Sequence, residues 1–290
     1  MSEYSICVSV GIPTFNRAAM FQKALDSVLA QDYQDIEILI SDNFSTDETE
    51  KLCEEYLKSD DRTKYIRQLS NIGASANFDY VLKLASGKYF MWLGDDDWID
   101  SSYISSCVSV LEADPTSALV SGSPKYYRDS ELIFEGKIFS LSQNSWLARV
   151  FGYYWKVADN GMFYGVMRTT TLKQTSMPNS MGGDWHLLAN IISTGKVVML
   201  PHVAVHRALG GATESYRHIA KSLGLPMIQA VFPTLTAACG AWIEIVFRGG
   251  LFKQKMLLQR VILACGIFFL LLLKKVHNRL RFISNSGRLG

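Results

Sequence analysis

Cysteine is scarce in this sequence, and none of its cysteines lies where a metal or a disulfide framework would need it. The five cysteines are far apart along the chain and odd in number, and no Cys-x-x-Cys or Cys/His ligand pair occurs. This excludes a zinc-ribbon or a disulfide-stapled fold, which depend on such spacings. The N-terminus also lacks a basic start followed by an apolar signal region. We therefore expect reduced thiols and a body that remains in the cytoplasm.

Acidic residues are absent from the end of the chain. From Arg248 onwards there are nine Lys and Arg and no Asp or Glu, so residues 1–247 carry a net charge of −7 although the whole chain carries +2. An acidic body argues against general nucleic-acid binding. A basic tail predicts an anionic surface as its partner.

Apolar runs and helical patterns alternate through the first 100 residues. Residues 6–12, 36–40, 65–67 and 89–93 read as strands, and the first is apolar throughout, as in a parallel strand covered on both faces. Helical patterns separate them: Met20, Ala24 and Leu25 mark the first, and Ser45 to Glu48 has the spacing of a capping box before the second. Further strands are predicted at 118–121 and 196–200, with a helix at 185–192. This alternation predicts an α/β fold with a mostly parallel sheet flanked by helices.

Polar clusters follow three of these strands. Thr14 and Asn16 follow the first, Asp42 ends the second, and Asp95, Asp96 and Asp97 follow the fourth. The carboxyl ends of parallel strands form one edge of a sheet, where ligands of α/β proteins bind. Three adjacent carboxylates there either form a solvated turn or bind a divalent cation such as Mg²⁺ or Mn²⁺, which prefers oxygen ligands. The convergence of the three clusters favours the metal.

Five motifs in order complete the pattern: VSVGIPTFNR at 8–17, SVLAQ at 27–31, DNFSTD at 42–47, SNIG at 70–73 and GKYFMWLGDDD at 87–97. This series resembles family 2 glycosyltransferases of the GT-A fold, including those of bacterial surface-polysaccharide assembly such as abequosyltransferase-like enzymes. The resemblance is strong over about residues 5–125 and weaker over 160–215. It implies a glycosyltransferase domain at 1–218, with a nucleotide-binding half at about 1–125 and an acceptor half at about 126–218.

The resemblance implies roles for the matching residues. Asp95 and Asp97 form the Asp-x-Asp motif and are both expected to bind Mn²⁺ or Mg²⁺, with Asp97 as the direct ligand. Asp96 is expected to face the ribose. Gly94 stands where many relatives have Asp, which leaves the set of ligands open. The residues expected to bind the nucleotide sugar are Pro13, Thr14, Asn16, Arg17, Asp42, Asn71, Asn77, Asp95, Asp96 and Arg207.

Two later residues complete the expected site. Asp184, in MGGDWH at 181–186, matches the position of the family's catalytic base, although Gly183 replaces the usual preceding Glu; the alternative is that Asp184 is only a helix N-cap. His206, beside Arg207, is expected either to be a third metal ligand or to be structural. His186 and His202 are interpreted as structural.

Residues 219–290 form an apolar, basic region. Residues 261–273 include no polar side chain, and 13 residues are too few to cross a bilayer core of about 30 Å at about 1.5 Å per residue. We expect helices that lie in the cytoplasmic leaflet, with a spanning helix or a packed core helix as the alternatives.

The sequence therefore predicts an inverting, metal-dependent glycosyltransferase at the cytoplasmic membrane face. The donor would be a nucleotide-diphosphate sugar and the acceptor a lipid-linked glycan of surface-polysaccharide assembly, O-antigen-like or capsule-like. Two alternatives remain: a transferase of the same fold that makes a simple glycolipid, and a catalytically silent scaffold protein that binds sugar nucleotides.

Overall fold

The computed structural model describes residues 7–210 and 215–286, with side chains described up to Lys274. Its first half is a run of parallel strands joined by helices. Both β1 and β2 are buried at every position, which explains the apolar and small residues of β1. Strand β2 also buries two acidic residues, Glu37 and Asp42. The elements are β1 (Val8–Thr14), α1 (Ala18–Leu29), β2 (Ile36–Asp42), α2 (Thr49–Ser59), β3 (Thr63–Arg67), α3 (Ala74–Leu84) and β4 (Tyr89–Trp92).

The second half extends the same sheet. Its elements are β5 (Trp98–Ile99), α4 (Tyr103–Ala113), β6 (Ser117–Arg128), β7 (Glu131–Glu135), α5 (Trp146–Lys156), a 3₁₀ turn (Gly161–Tyr164), β8 (Val166–Arg168), α6 (Thr169–Leu172), α7 (Gly183–Ile192) and β9 (Lys196–Ala208). The strand order is β3-β2-β1-β4-β8-β6-β9-β5, with β7 paired to β6. The predicted α/β alternation is confirmed.

The sheet is mixed rather than mostly parallel. Strands β1 to β4 pair in parallel, but β8 runs antiparallel to both β4 and β6. Strands β6 and β9 then pair in parallel from Ser117 and Lys196 to Tyr127 and Ala208, much further than the short strands predicted there. This long pairing carries the end of β9 to the edge of the sheet at which β1 and β4 end.

Two local predictions were wrong. Helix α2 begins at Thr49, and Asp47 rather than Ser45 accepts a hydrogen bond from its first turn, at 3.1 Å from the Thr49 amide. The Ser45 hydroxyl is taken by the Asn16 amide at 2.9 Å, so it is not available as a cap. In α1, Ala24 and Leu25 are buried as predicted, but Met20 is exposed. Phe21 is buried instead, because residues 21, 24, 25 and 28 lie on one face of the helix.

The C-terminal helices pack on the rest of the protein with one face only. They are α8 (Tyr216–Ser222), α9 (Met227–Val231), α10 (Pro233–Ile243), a π turn (Glu244–Arg248), a 3₁₀ turn (Phe252–Gln254) and α11 (Leu257–Ser286). The stretch Leu257–Lys274 of α11 is long and apolar enough to cross a membrane, and only 33% of it is buried. Its inner face, including Leu263 and Ile267, belongs to the main core. The boundary near residue 218 remains a prediction.

Candidate active site

A cavity of about 390 Å³ lies at the carboxyl ends of β1 and β4. Because both strands end at this edge, the loops that follow them form opposite walls of the cavity. The residues predicted from the sequence that line it are Pro13, Thr14, Arg17, Asn71, Asn77, Asp95, Asp96, Asp97 and Arg207. The structure therefore brings predicted residues from four separate segments of the chain to one place.

Asp95 and Asp96 bind the loop that follows β1. Asp95 Oδ2 accepts hydrogen bonds from the Thr14 hydroxyl at 2.8 Å and the Phe15 amide at 3.4 Å. Burial, with the charge of Asp96, raises the pKa of Asp95 to about 7, while Arg17 opposes the shift. Asp96 Oδ2 pairs with Arg17 Nη1 at 2.5 Å. Both carboxylates therefore help to hold residues 14–17, at the end of β1 and in the loop that follows it.

Asp97 is the most buried member of the triplet. Its Oδ1 accepts a hydrogen bond from the Ala208 amide at 2.9 Å, and Arg207 Nε lies 3.5 Å from its Oδ2. Within the described part of the chain, Oδ2 has no hydrogen bond of normal geometry. Burial raises the pKa of Asp97 to about 6, and Arg207 counteracts that effect. A buried carboxylate oxygen that has an ion pair at 3.5 Å but no hydrogen bond is costly, and a cation or a further donor would stabilise it.

Gly94 lets several oxygen atoms pack closely against its backbone, because glycine has no side chain. A Cβ at position 94 would lie 2.8 Å from Asp97 Oδ2, 3.2 Å from Asp96 Oδ1 and 2.7 Å from the Tyr164 hydroxyl. These are hard oxygen atoms, which suit Mn²⁺ or Mg²⁺. The described residues contain no group of three His, Cys, Asp or Glu side chains that could hold a metal. The carboxylate oxygens of Asp96 and Asp97 are of the type that Mn²⁺ or Mg²⁺ prefers, so the residues present fit such a metal as two of its ligands.

Four predicted residues, Asn16, Asp42, Asp184 and His206, do not line the cavity. Asp42 lies behind its wall, where Oδ1 accepts from the Ser45 amide and Oδ2 from the Tyr65 hydroxyl, both at 2.8 Å. Its neighbour Asn43 lines the cavity instead. Asn16 has a positive φ of 53° and holds the Thr46 amide through its Oδ1. These side chains shape the loops around the cavity.

His206 is the third predicted residue outside the cavity. Its Nε2 lies 2.7 Å from Asp100 Oδ1 and its Nδ1 lies 3.0 Å from the Tyr127 hydroxyl, and the ring stacks on Trp98. Both ring nitrogens are therefore engaged with the protein in this arrangement. His206 joins β5, which follows the acidic triplet, to β9, which carries Arg207.

Asp184 lies in the first turn of α7, outside the cavity lining and close to Arg207. The helix has Gly182 as its N-cap residue, so Asp184 is not the N-cap. Asn160 Nδ2 donates to Asp184 Oδ2 at 2.6 Å, and the Tyr153 hydroxyl donates to Asn160 Oδ1 at 3.1 Å. Burial raises the pKa of Asp184, while Asn160 and Arg207 oppose that effect. The carboxyl group is held in one orientation and near a guanidinium.

Sequence reasoning missed several residues of this site. Tyr164, Phe78 and Ser222 line the cavity, and Asn160 holds Asp184. Tyr164 and Asn160 belong to the aromatic-rich region 125–180, which has no readable motif. Ser222 comes from α8, beyond the predicted end of the domain. Only the tertiary fold brings these residues to the cavity.

Comparisons with known proteins identify the family. Residues 9–175 match the model of glycosyl transferase family 2. Glycosyltransferase GlyA of Streptococcus pneumoniae is 29% identical over 176 residues, which cover 60% of this chain and 24% of that protein. A GalNAc(5)-diNAcBac-PP-undecaprenol beta-1,3-glucosyltransferase of Campylobacter jejuni is 39% identical over 100 residues, which cover 34% of this chain and 32% of that protein. The matched segment thus spans a third or less of each of these relatives.

Solved structures show the same fold. S. aureus TarS residues 1–349 in complex with UDP-GlcNAc superimpose with a TM-score of 0.60 at 18% identity, covering 92% of this chain and 81% of that chain. Mannosyltransferase PcManGT from Pyrobaculum calidifontis, in complex with GDP-Man and Mn²⁺, gives 0.60 at 16% identity, covering 99% and 84%. These likenesses confirm the predicted α/β fold of the GT-A type. Since the family model matches more than half of its residues, the chain belongs to glycosyl transferase family 2.

Proposed function

We propose that this protein transfers a sugar from a nucleotide-diphosphate donor to a lipid-linked glycan, with inversion at the anomeric carbon and with Mn²⁺ or Mg²⁺. The observation that carries the proposal is the cavity at the ends of β1 and β4. It combines the three carboxylates at 95–97 with two arginines, Arg17 and Arg207. A cavity with both signs of charge suits a ligand that is itself a metal-bound anion.

The two arginines would bind the diphosphate. Arg17 pairs with Asp96 and Arg207 lies beside Asp97, so each guanidinium is held against the motif by a carboxylate. Their fork-shaped donors match phosphate oxygens. The solved relatives bound to UDP-GlcNAc and to GDP-Man with Mn²⁺ support this assignment. The proposed nucleotide-sugar residues are the cavity-lining set given above, with Asp42 and Asn16 supporting the loops.

Asp97 would hold the metal through Oδ2, which is buried and has no hydrogen bond of normal geometry among the described residues. Asp96 Oδ1, which also lies beside Gly94, would be a second carboxylate ligand. When bound, the metal would supply Lewis-acid stabilisation of the negative charge on the departing diphosphate. Asp95 would act mainly by fixing the loop after β1, because its Oδ2 already accepts from Thr14 and Phe15.

Asp184 would be the general base. It would take the proton of the acceptor hydroxyl while that oxygen forms a bond to the anomeric carbon. The bond from this carbon to the phosphate oxygen breaks on the opposite face, and its electron pair leaves with the nucleotide diphosphate. The raised pKa of Asp184 makes its carboxylate a stronger base near neutral pH.

The acceptor and the location rest on two observations. The named substrate of the Campylobacter jejuni relative is a glycan on PP-undecaprenol, a lipid carrier. The C-terminal helices expose large apolar side chains, among them Leu258 at 67% and Phe269 at 62%, in a region free of acidic residues after Glu244. Together they support a protein bound to the cytoplasmic membrane face.

Paired variants test this proposal. Donor binding should be screened by thermal shift with UDP-, GDP-, CDP- and dTDP-sugars and Mn²⁺, and then transfer and donor hydrolysis measured. Asp97→Asn should abolish Mn²⁺-dependent donor binding. Asp184→Asn should keep donor binding and lose transfer by roughly 10²–10⁴-fold, the range for general base catalysis. Asp129→Asn, in an exposed turn, is the control. A wild-type protein that binds donor but neither hydrolyses nor transfers it would instead be a scaffold.

A further inference from the structure

Helix α10 lies between the helix that carries Asp184 and the apolar outer surface of the protein. On its outer side Leu235, Cys239 and Ile243 are exposed, one helical turn apart. On its inner side Ala238 and Ala241 are fully buried. The helix therefore has one face towards the surroundings and one face packed on the interior.

The segment 179–192 is held by the C-terminal helices along its whole length. Before α7, Asn179 Nδ2 donates to the Leu223 carbonyl and the Met181 amide donates to Gln229 Oε1, both at 3.2 Å. At the far end, Asn190 Oδ1 accepts from the Leu251 and Phe252 amides at 3.1 and 3.2 Å. The main chain on both sides of Asp184 is therefore fixed by residues outside the catalytic cavity.

Helix α10 comes closest to α7 at the turn that carries Asp184. A Cβ on Gly240 would lie 2.6 Å from His186 Nε2, and a Cβ on Gly182 would lie 3.4 Å from the Ala237 Cβ. His186 is two residues after Asp184, is buried, and is held on its other side by the Tyr154 hydroxyl at 2.9 Å from Nδ1. The ring is thus clamped between Tyr154 and the backbone of α10. Glycine at position 240 permits this contact because it has no side chain.

We infer that α9 and α10 position the base. Gln229 of α9 holds the Met181 amide, and Gly240 of α10 and His186 transmit the placement of the outer helices to the first turn of α7, and so to Asp184. This inference rests on the proposed role of Asp184 as the base. Gly240 and His186 are positioning residues, since neither lines the cavity. The C-terminal region is then part of the catalytic apparatus in addition to its proposed role at the membrane.

The test compares two glycine-to-alanine substitutions in neighbouring helices, Gly240→Ala in α10 and Gly266→Ala in α11. Gly240→Ala in the full-length protein should push His186 and the start of α7 away from α10. A displacement of about 1 Å at a reacting group costs roughly 10²-fold, so kcat for transfer should fall by about 10–100-fold while the KM for the donor stays within about twofold. Gly266→Ala on α11 is the matched control, because its Cβ would meet only Phe151 at an ordinary 3.7 Å.

A double variant shows whether the loss of kcat in Gly240→Ala depends on His186. In a His186→Ala background the ring is gone, so adding Gly240→Ala should cause little further loss. Equal losses from Gly240→Ala in both backgrounds would overturn the inference. So would an unchanged kcat for Gly240→Ala when Asp184→Asn is inactive. Full transfer by Asp184→Asn would instead remove the proposed base.

A second pair of variants applies if Gly240→Ala does not fold. Gln229→Leu removes the acceptor of the Met181 amide, whereas Gln229→Glu keeps an acceptor oxygen in its place. Gln229→Leu should lower kcat at constant donor KM, and Gln229→Glu should restore it. Equal kcat values for these two variants and the wild type would overturn the inference independently of position 240.

Discussion

At the scale of single residues, the three consecutive aspartates are chemically identical but have different partners. Asp95 is bound by Thr14, Asp96 by Arg17, and Asp97 keeps a buried oxygen without a hydrogen bond in the described structure. Their surroundings, rather than their order in the motif, therefore assign their roles. The same principle applies to Asp184, whose protonation is set by Asn160 and by burial.

Asn160 offers a prediction for the pH dependence of transfer. Its amide donates to Asp184 and lowers the pKa of that carboxyl group, which burial raises. Asn160→Ala removes the donor, so the pKa of Asp184 should rise. Because the base must be ionised, the acid limb of the kcat–pH profile should move to higher pH, and transfer at neutral pH should fall. The measurement is kcat for transfer against pH at saturating donor.

Tyr153→Phe provides the matching control for Asn160. It removes only the hydroxyl that orients the Asn160 amide, so the acid limb should shift in the same direction but by less. Donor binding should be unchanged in both variants, since neither residue lines the cavity. An acid limb that stays in place in Asn160→Ala would show that Asp184 is not the group that titrates in transfer.

At the scale of elements, the loop after β4 can hold its carboxylates in place only because residue 94 is a glycine. The loop turns the carboxylates of Asp96 and Asp97 and the Tyr164 hydroxyl towards one point, which a side chain at position 94 would fill. Gly94→Ala should therefore weaken Mn²⁺-dependent donor binding by roughly 10–100-fold, since overpacking costs about 1–3 kcal/mol. Titration of Mn²⁺ and donor together, followed by isothermal calorimetry, measures this.

The control for Gly94 is donor binding in the absence of metal. If Gly94 acts only by letting the carboxylates of Asp96 and Asp97 keep their positions for a metal, binding of the donor without metal should change little, whereas the enhancement by Mn²⁺ should be lost. Equal Mn²⁺ enhancement in Gly94→Ala and the wild type would place the metal elsewhere. Gly266→Ala, which meets only an ordinary contact, should behave as the wild type.

The elements also show what the sequence could and could not predict. The motifs of β1, β2 and β4 are local, so their strands and the cavity residues Thr14, Asp95 and Asp97 followed from the pattern of residues. The mixed half of the sheet did not, because β8 joins β4 to β6 across about 50 to 80 residues of chain. Asn160 and Ser222 depend on those long-range pairings. The sequence placed Asp42 at the correct strand end. It did not predict the hydrogen bond from Tyr65 of β3, which holds the Asp42 side chain outside the cavity lining.

At the scale of the whole molecule, helix α11 packs into the core with one face and exposes apolar side chains on the other. Leu263, Ile267 and Leu271 of α11 belong to the main core, while the opposite face exposes Ile262, Phe269 and Leu273. Removing the tail would therefore open the core as well as remove the proposed membrane contact. A test of membrane binding must change the outer face and leave the inner face intact.

The outer face of α11 gives a prediction that separates membrane binding from folding. Ile262, Phe269 and Leu273 are 63%, 62% and 65% exposed, so replacing all three by Asn should leave the melting temperature of the protein nearly unchanged. Inserting one large apolar side chain into lipid contributes about 1.5–3 kcal/mol, so the triple variant should lose several kcal/mol of membrane affinity. The net charge stays the same, and any remaining binding to anionic vesicles would be electrostatic.

Co-sedimentation with neutral and with anionic vesicles, at low and high salt, measures the apolar and the electrostatic contributions to membrane binding. The wild type should sediment with both kinds of vesicle, and the triple variant only with anionic vesicles at low salt, because salt screens exposed charges. Leu263→Asn is the matched control one residue along the helix: Leu263 is only 5% exposed, so its replacement should destabilise the fold. Undiminished binding of a folded triple variant to neutral vesicles would show that this face of α11 does not contact lipid.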